Sequence, residues 1–203
     1  MTRAPRRFTA RVLTRGTLVI LAAACACRPP ATELHIVALR DPSLPRRYFS
    51  RFDESYFRFD ALGNLDLVLR GVNESPSETG EVITEVVHVH AFWEPIPGRT
   101  FADASMTNAK VAYSITTEVV AMQYEGGGFL SFKLDEKKHR IQGRLESAQL
   151  VPTHRRGDAH DLFGPARVTG TFTATDDARH VVRILNELKN VIGVEAEEAT
   201  AGR

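Results

Sequence analysis

Between residues 33 and 176 hydrophobic and polar positions alternate along most of the chain, the period-2 signature of strands with one buried face. Leu65, Leu67 and Leu69 share one side of the segment Leu65 to Arg70, with Asp66 on the other. Ile141, Gly143 and Leu145 alternate with Gln142, Arg144 and Glu146, and Val168, Gly170 and Phe172 alternate with Thr169, Thr171 and Thr173. Glu33 to Leu39 reads as a first strand, and Lys110 to Tyr124 as one kinked strand or two short ones. Val82 to Trp93 carries Ile83, Val87, Val89 and Ala91 on one face and Val82, Val86, His88, His90 and Phe92 on the other. Apolar residues on both faces predict a central strand. After Thr175-Asp176-Asp177 the period changes: Val181, Ile184, Leu185, Leu188, Val191 and Ile192 recur at helical spacing, with Gly193 as the expected end. The pattern predicts a mainly β protein, a single antiparallel β-sandwich or barrel of about eight strands with one C-terminal amphipathic helix that packs on the sheet or plugs a barrel mouth.

Turn residues and aromatics refine this outline. Tyr48, Phe49, Phe52, Tyr56, Phe57 and Phe59 crowd one short stretch and are expected in the core, and Ala61-Leu62-Gly63-Asn64 joins two strands of a hairpin. Gly126-Gly127-Gly128 reads as a hairpin link; no Lys-Ser or Lys-Thr follows it, so it is not a phosphate loop. Pro152 to Pro165 reads as a polar loop. The strands Ile-x-Gly-x-Leu at 141–145 and Val-x-Gly-x-Phe at 168–172 echo one another, and an inward glycine in a strand marks bending or the close approach of a neighbouring ring. A strongly curved sheet follows from two such positions.

The first 27 residues have a different character. Arg3, Arg6, Arg7, Arg11 and Arg15 precede an apolar run from Gly16 to Cys27 that ends in small residues, the plan of an export signal. That run is about 12 residues long, against the roughly 20 needed to span a bilayer as a helix. Ala22-Ala23-Ala24-Cys25 resembles the lipobox of bacterial lipoprotein precursors, with alanine where leucine is usual at its first position. The resemblance implies removal of residues 1–24, acylation of Cys25 and a lipid-tethered mature chain. Ala26 is not the aspartate associated with inner-membrane retention, so the resemblance implies the periplasmic face of the outer membrane. Cys27 is a second acceptor position, and an ordinary secretory signal cut near Ala26 is the alternative. On this reading residues 25–32 are lipidated cysteine and tether, 33–193 the β-rich domain, and 194–203, with Glu195, Glu197 and Glu198, a disordered acidic tail.

Charge and cysteine content narrow the partners. The whole chain is +1, and loss of five signal arginines leaves the mature chain at about −4, which disfavours nucleic acid. Lys137-Lys138-His139-Arg140 and His154-Arg155-Arg156 read as a solvated hairpin tip and loop. No cysteine follows Cys27, so the fold rests on its core rather than on disulfides, and no thiol nucleophile is present in the domain. The expected partners are the membrane, through the N-terminal lipid, and an envelope protein or small apolar ligand.

The sharpest constellation is His88-x-His90-x-x-x-Glu94, because residues two and four apart on a strand point the same way and these three types bind divalent metals. The spacing resembles the first motif of cupins, double-sheet barrels that hold a metal with two histidines, a glutamate and a further histidine. No second cupin motif follows; His139, His154 and His160 are the available fourth ligands. Asp158, His160 and Asp161, beside Arg155 and Arg156, form a charged loop. A barrel with a helix also resembles calycin-type carriers in outline, without their usual Gly-x-Trp. The chain is therefore expected to bind without a cofactor, with a divalent-metal enzyme on His88, His90 and Glu94 as the alternative.

Overall fold

In the computed structural model of the protein, which describes residues 32–41, 43–74, 81–92 and 107–201, the alternating segments become nine strands and one long helix. The export signal, Cys25 and Glu94 lie outside the described residues. The strands are β1 (Glu33–Ala38), β2 (Arg46–Arg51), β3 (Glu54–Phe59), β4 (Leu65–Glu74), β5 (Val82–Ala91), β6 (Ala109–Thr116), β7 (Ala121–Asp135), β8 (Arg140–Arg156) and β9 (Ala166–Asp176); the helix is α1 (Ala178–Ala201). Among the described residues no helix is long and apolar enough to cross a membrane.

Strands β3 to β8 pair in sequence order, each antiparallel to the next, and β9 returns antiparallel to β8. The sheet then closes on itself where Thr175 and Asp176 of β9 meet Tyr56 and Phe57 of β3. This is a barrel of seven strands rather than a sandwich, with β1 and β2 paired beyond it along the first half of β9. The barrel is the expected antiparallel one except at this closing pair, which is parallel. The reason is parity: with an odd number of alternating strands the first and last run the same way.

The aromatic stretch at 48–60 splits because the chain changes partners at Phe52 and Asp53. Strand β2 pairs with β1, Phe52 N donates to Thr32 O at 3.0 Å and Asp53 N to Arg70 O at 3.1 Å, and β3 continues along β4. Inside the barrel Phe57, Leu67, Val87, Tyr113, Tyr124, Leu130 and Phe172 are almost fully buried, each contributing on the order of 2 kcal/mol by leaving water. Phe163, from the β8–β9 loop, enters among them: it stacks on Tyr113 at 5.8 Å and 16° and lies 5.0 Å from both Tyr124 and Tyr48. Asp161 holds this loop, accepting from Tyr124 Oη at 2.9 Å and from Gly164 N at 2.8 Å.

The echoed motifs pair with each other: Gly143 lies opposite Phe172, and Leu145 opposite Gly170. A Cβ on Gly143 would stand 2.5 Å from Phe172 Cζ, so the glycine makes room for the ring. The three consecutive glycines, in contrast, are not a hairpin link. They lie in the middle of β7, where a Cβ on Gly126 would come 1.7 Å from Gln149 O of β8 and the register slips between Gly127 and Phe129. They let a 15-residue strand bend around the barrel. The expected loop at 152–165 is also shorter, since β8 runs on to Arg156.

Helix α1 starts at Asp177, whose Oδ1 accepts from Arg179 N at 3.1 Å and His180 N at 3.0 Å. Val181 and Ile184, with Leu185 and Leu188 beside them, pack on Val68, Val86 and Tyr56. That places the helix on the outer wall of β3, β4 and β5, and not in a barrel mouth. It does not stop at Gly193 but continues to Ala201, into the stretch expected as a disordered tail. One glycine costs a helix only about 1 kcal/mol relative to alanine.

Candidate ligand groove

The outward residues of the wall beneath α1 form rows across the strands. One row runs Arg58, Asp66, His90 and Lys110; the next runs Tyr56, Val68, His88, Ala112 and Glu125. Asp66 faces outward because Leu65 and Leu67, one position either side, are fully committed to the core. It is nevertheless only 6% exposed.

Two imidazoles converge on that carboxylate. His88 Nε2 lies 3.1 Å and His90 Nδ1 2.9 Å from Asp66 Oδ1, while Arg58 donates to Oδ2 from Nε at 3.0 Å and Nη2 at 2.9 Å. These donors, the His88 hydrogen bond foremost, hold the Asp66 carboxyl well below the usual carboxylate range in spite of its desolvation. Both rings donate to Asp66, because an ionised carboxylate can only accept. Next to them Lys110 Nζ sits 2.9 Å from Glu125 Oε2, and Gln123 Nε2 donates to Glu125 Oε1 at 3.0 Å.

Between this polar floor and the helix runs a groove of about 620 Å3. Its helix wall is Leu185, Leu188, Ile192 and Gly193 with Lys189 at the edge, and Ala112 forms an apolar step in the floor. The N-terminal part of the helix is fastened by ions: Arg183 reaches Glu54 Oε2 at 3.5 Å, Arg70 reaches Glu187 Oε2 at 3.7 Å, and Arg183 and Glu187 pair at 2.9 Å.

His88 and His90 do share a face, as their spacing requires, but their common partner is Asp66, with Glu94 outside the described residues. Among the described residues no group of three or more His, Cys, Asp or Glu is arranged to hold a metal. His154 lies on the outer face beside Gln123, three strands from His88, and His139 sits in the β7–β8 turn. Asp161 of the charged loop is committed to Tyr124. The meander of β3 to β8 also differs from the double-sheet arrangement that the cupin resemblance implies, and the filled interior differs from that of a calycin-type carrier. Reading from sequence missed Arg58, Asp66, Lys110 and Glu125, which reach the groove only through strand pairing.

No family model, curated protein or solved structure matches the chain. The geometry of the groove is therefore the basis for a functional reading.

Proposed function

We propose that this chain is an envelope lipoprotein, tethered through acylated Cys25 to the periplasmic face of the outer membrane, whose barrel binds a small anionic amphiphile in the groove under α1 without catalysis. The observation that carries the reading is the groove's division of labour: a volume of about 620 Å3, within the range of small-molecule sites, with an apolar helix wall edged by Lys189 facing a polar floor in which Arg58 and Lys110 stand beside Asp66 and Glu125. The interior of the barrel, where a carrier would keep its ligand, is occupied by Tyr113, Tyr124 and Phe163. An acyl chain would lie along Leu185, Leu188 and Ile192, and its acidic head between Lys110 and Lys189.

Dodecanoate is the probe. Calorimetric titration is expected to give saturable binding tighter than about 1 mM, with dodecanol at least about tenfold weaker for want of the charge. Ala112→Trp fills the floor and is expected to abolish binding while the melting temperature holds. Absence of saturable binding, or binding that ignores Ala112→Trp, overturns the groove. The tether has a separate test: if labelled palmitate is not incorporated, and Cys25→Ala stays in the wild-type cell fraction, the anchored reading is wrong.

A further inference from the structure

On the side of the molecule where β1 and β2 extend the sheet, the outer face carries a different charge pattern. Arg47, Val37, Arg167 and Gln149 form one row across β2, β1, β9 and β8; Arg51, Glu33, Thr171 and Arg144 form another. Between them Phe49 and His35 meet edge to face at 5.1 Å, and Arg51 lies over the Phe49 ring at 5.2 Å. The inward alternates Leu34, Ile36, Ser50, Val168 and Gly170 are buried, so the arginines project from the opposite surface. All four are exposed, as are His35 and Phe49, the last at 48%.

The acids near this patch do not neutralise it. Glu33, opposite Arg51, lies 3.9 Å from the His35 imidazole and among the described residues forms no salt bridge with an arginine. Among the described residues none of the four arginines forms a salt bridge. With strands about 4.8 Å apart and about 3.3 Å per residue, they mark the corners of a patch roughly 10 Å by 13 Å or somewhat more. On a chain whose mature charge is about −4, four unpaired guanidinium groups around an exposed aromatic ring are a local reversal.

We propose that this face, bounded by Arg47, Arg51, Arg144 and Arg167 and centred on Phe49, docks on the phosphate headgroups of an anionic lipid bilayer. Guanidinium forks match phosphate oxygens, each basic side chain near an anionic leaflet adds to the attraction, and an aromatic ring suits the headgroup layer. The orientation rests on the anchored reading above: the row of Arg51, Glu33 and Arg144 is where the chain leaves the tether, and the eight residues from 25 to 32 reach at most about 28 Å. A patch so close to the anchor meets the bilayer that holds it.

The test uses the chain from residue 28, which keeps every described strand and the helix, cannot be acylated, and is checked for native strand content by circular dichroism. Its failure therefore leaves the palmitate result untouched. Co-sedimentation is measured with vesicles of phosphatidylcholine alone and with roughly one-third phosphatidylglycerol added. Binding to the anionic vesicles is expected to exceed neutral binding by more than about tenfold and to fall as salt rises. Arg47→Ser with Arg167→Ser is expected to remove most of that preference, whereas Lys137→Ser with Lys138→Ser at the β7–β8 tip leaves it. Inorganic phosphate is expected to compete no better than sodium chloride of equal ionic strength. Equal binding to both vesicles, wild-type binding by the double arginine variant, or equal loss in the lysine variant overturns the proposal.

Discussion

Two outer faces of one barrel treat charge in opposite ways. Under α1, Arg58 is matched to Asp66, Lys110 to Glu125, and Arg70 and Arg183 to Glu54 and Glu187. Across β2, β1, β9 and β8, Arg47, Arg51, Arg144 and Arg167 stand without such partners, although the same sheet register supplies both sets. The difference follows from what covers each face. At Asp66, which is 6% exposed, loss of water makes an unpaired charge costly, so the buried part of the wall must balance its ions; an open wall is solvated and can hold a surplus of one sign.

The largest effect is expected from removing the cover. Ile184→Ala takes a fully buried side chain out of the helix–wall contact and should destabilise the protein by about 3 kcal/mol in urea unfolding, with dodecanoate binding lost as the helix wall shifts. A cost below about 0.5 kcal/mol would mean that the helix is not part of the cooperative fold. Next comes Asp66→Ala, which strips Arg58, His88 and His90 of their common acceptor and is expected to cost about 2 kcal/mol by the same measurement. Stability unchanged by this substitution would show that the covered face tolerates unbalanced charge after all.

A smaller effect is expected from pH. The folded Asp66 carboxyl ionises at lower pH than in the unfolded chain, so its contribution is complete above about pH 3.9 and is lost as the pH falls below that value. Melting temperatures taken from about pH 6 to about pH 3 should therefore fall further for the wild type than for Asp66→Asn; parallel curves would remove the carboxylate from the account. The smallest effect belongs to the open face. Arg47→Ser and Arg167→Ser are each expected to change stability by less than about 0.5 kcal/mol, because no neighbouring group depends on them. A larger loss would make that face structural and erase the contrast.

The strands were readable because alternation in segments such as 65–70 and 141–145 reports burial directly, and the paired histidines on β5 because their spacing alone puts them on one side. What lay beyond reading were relations between strands. Asp66 joins His88 and His90 through a register between β4 and β5, and Arg47 joins Arg167 through β1, which stands between two segments more than a hundred residues apart in sequence. The local clusters at 137–140 and 154–156 were conspicuous in sequence, while the larger basic surface is dispersed over four strands and invisible as a run. Gly126 to Gly128 misled for a related reason: flexibility marks a turn when read alone, and a bend within β7 once β8 presses against it.

The barrel's seam rests on two residue pairs between β3 and β9, and those strands stand near opposite ends of the folded chain. A polypeptide emerging N-terminus first thus remains an open trough, with one lip of β3 unsatisfied, until Asp176 has cleared the exit. The helix follows after a single residue, so ring closure and the roofing of the wall are completed almost together, and a truncation within β9 leaves neither.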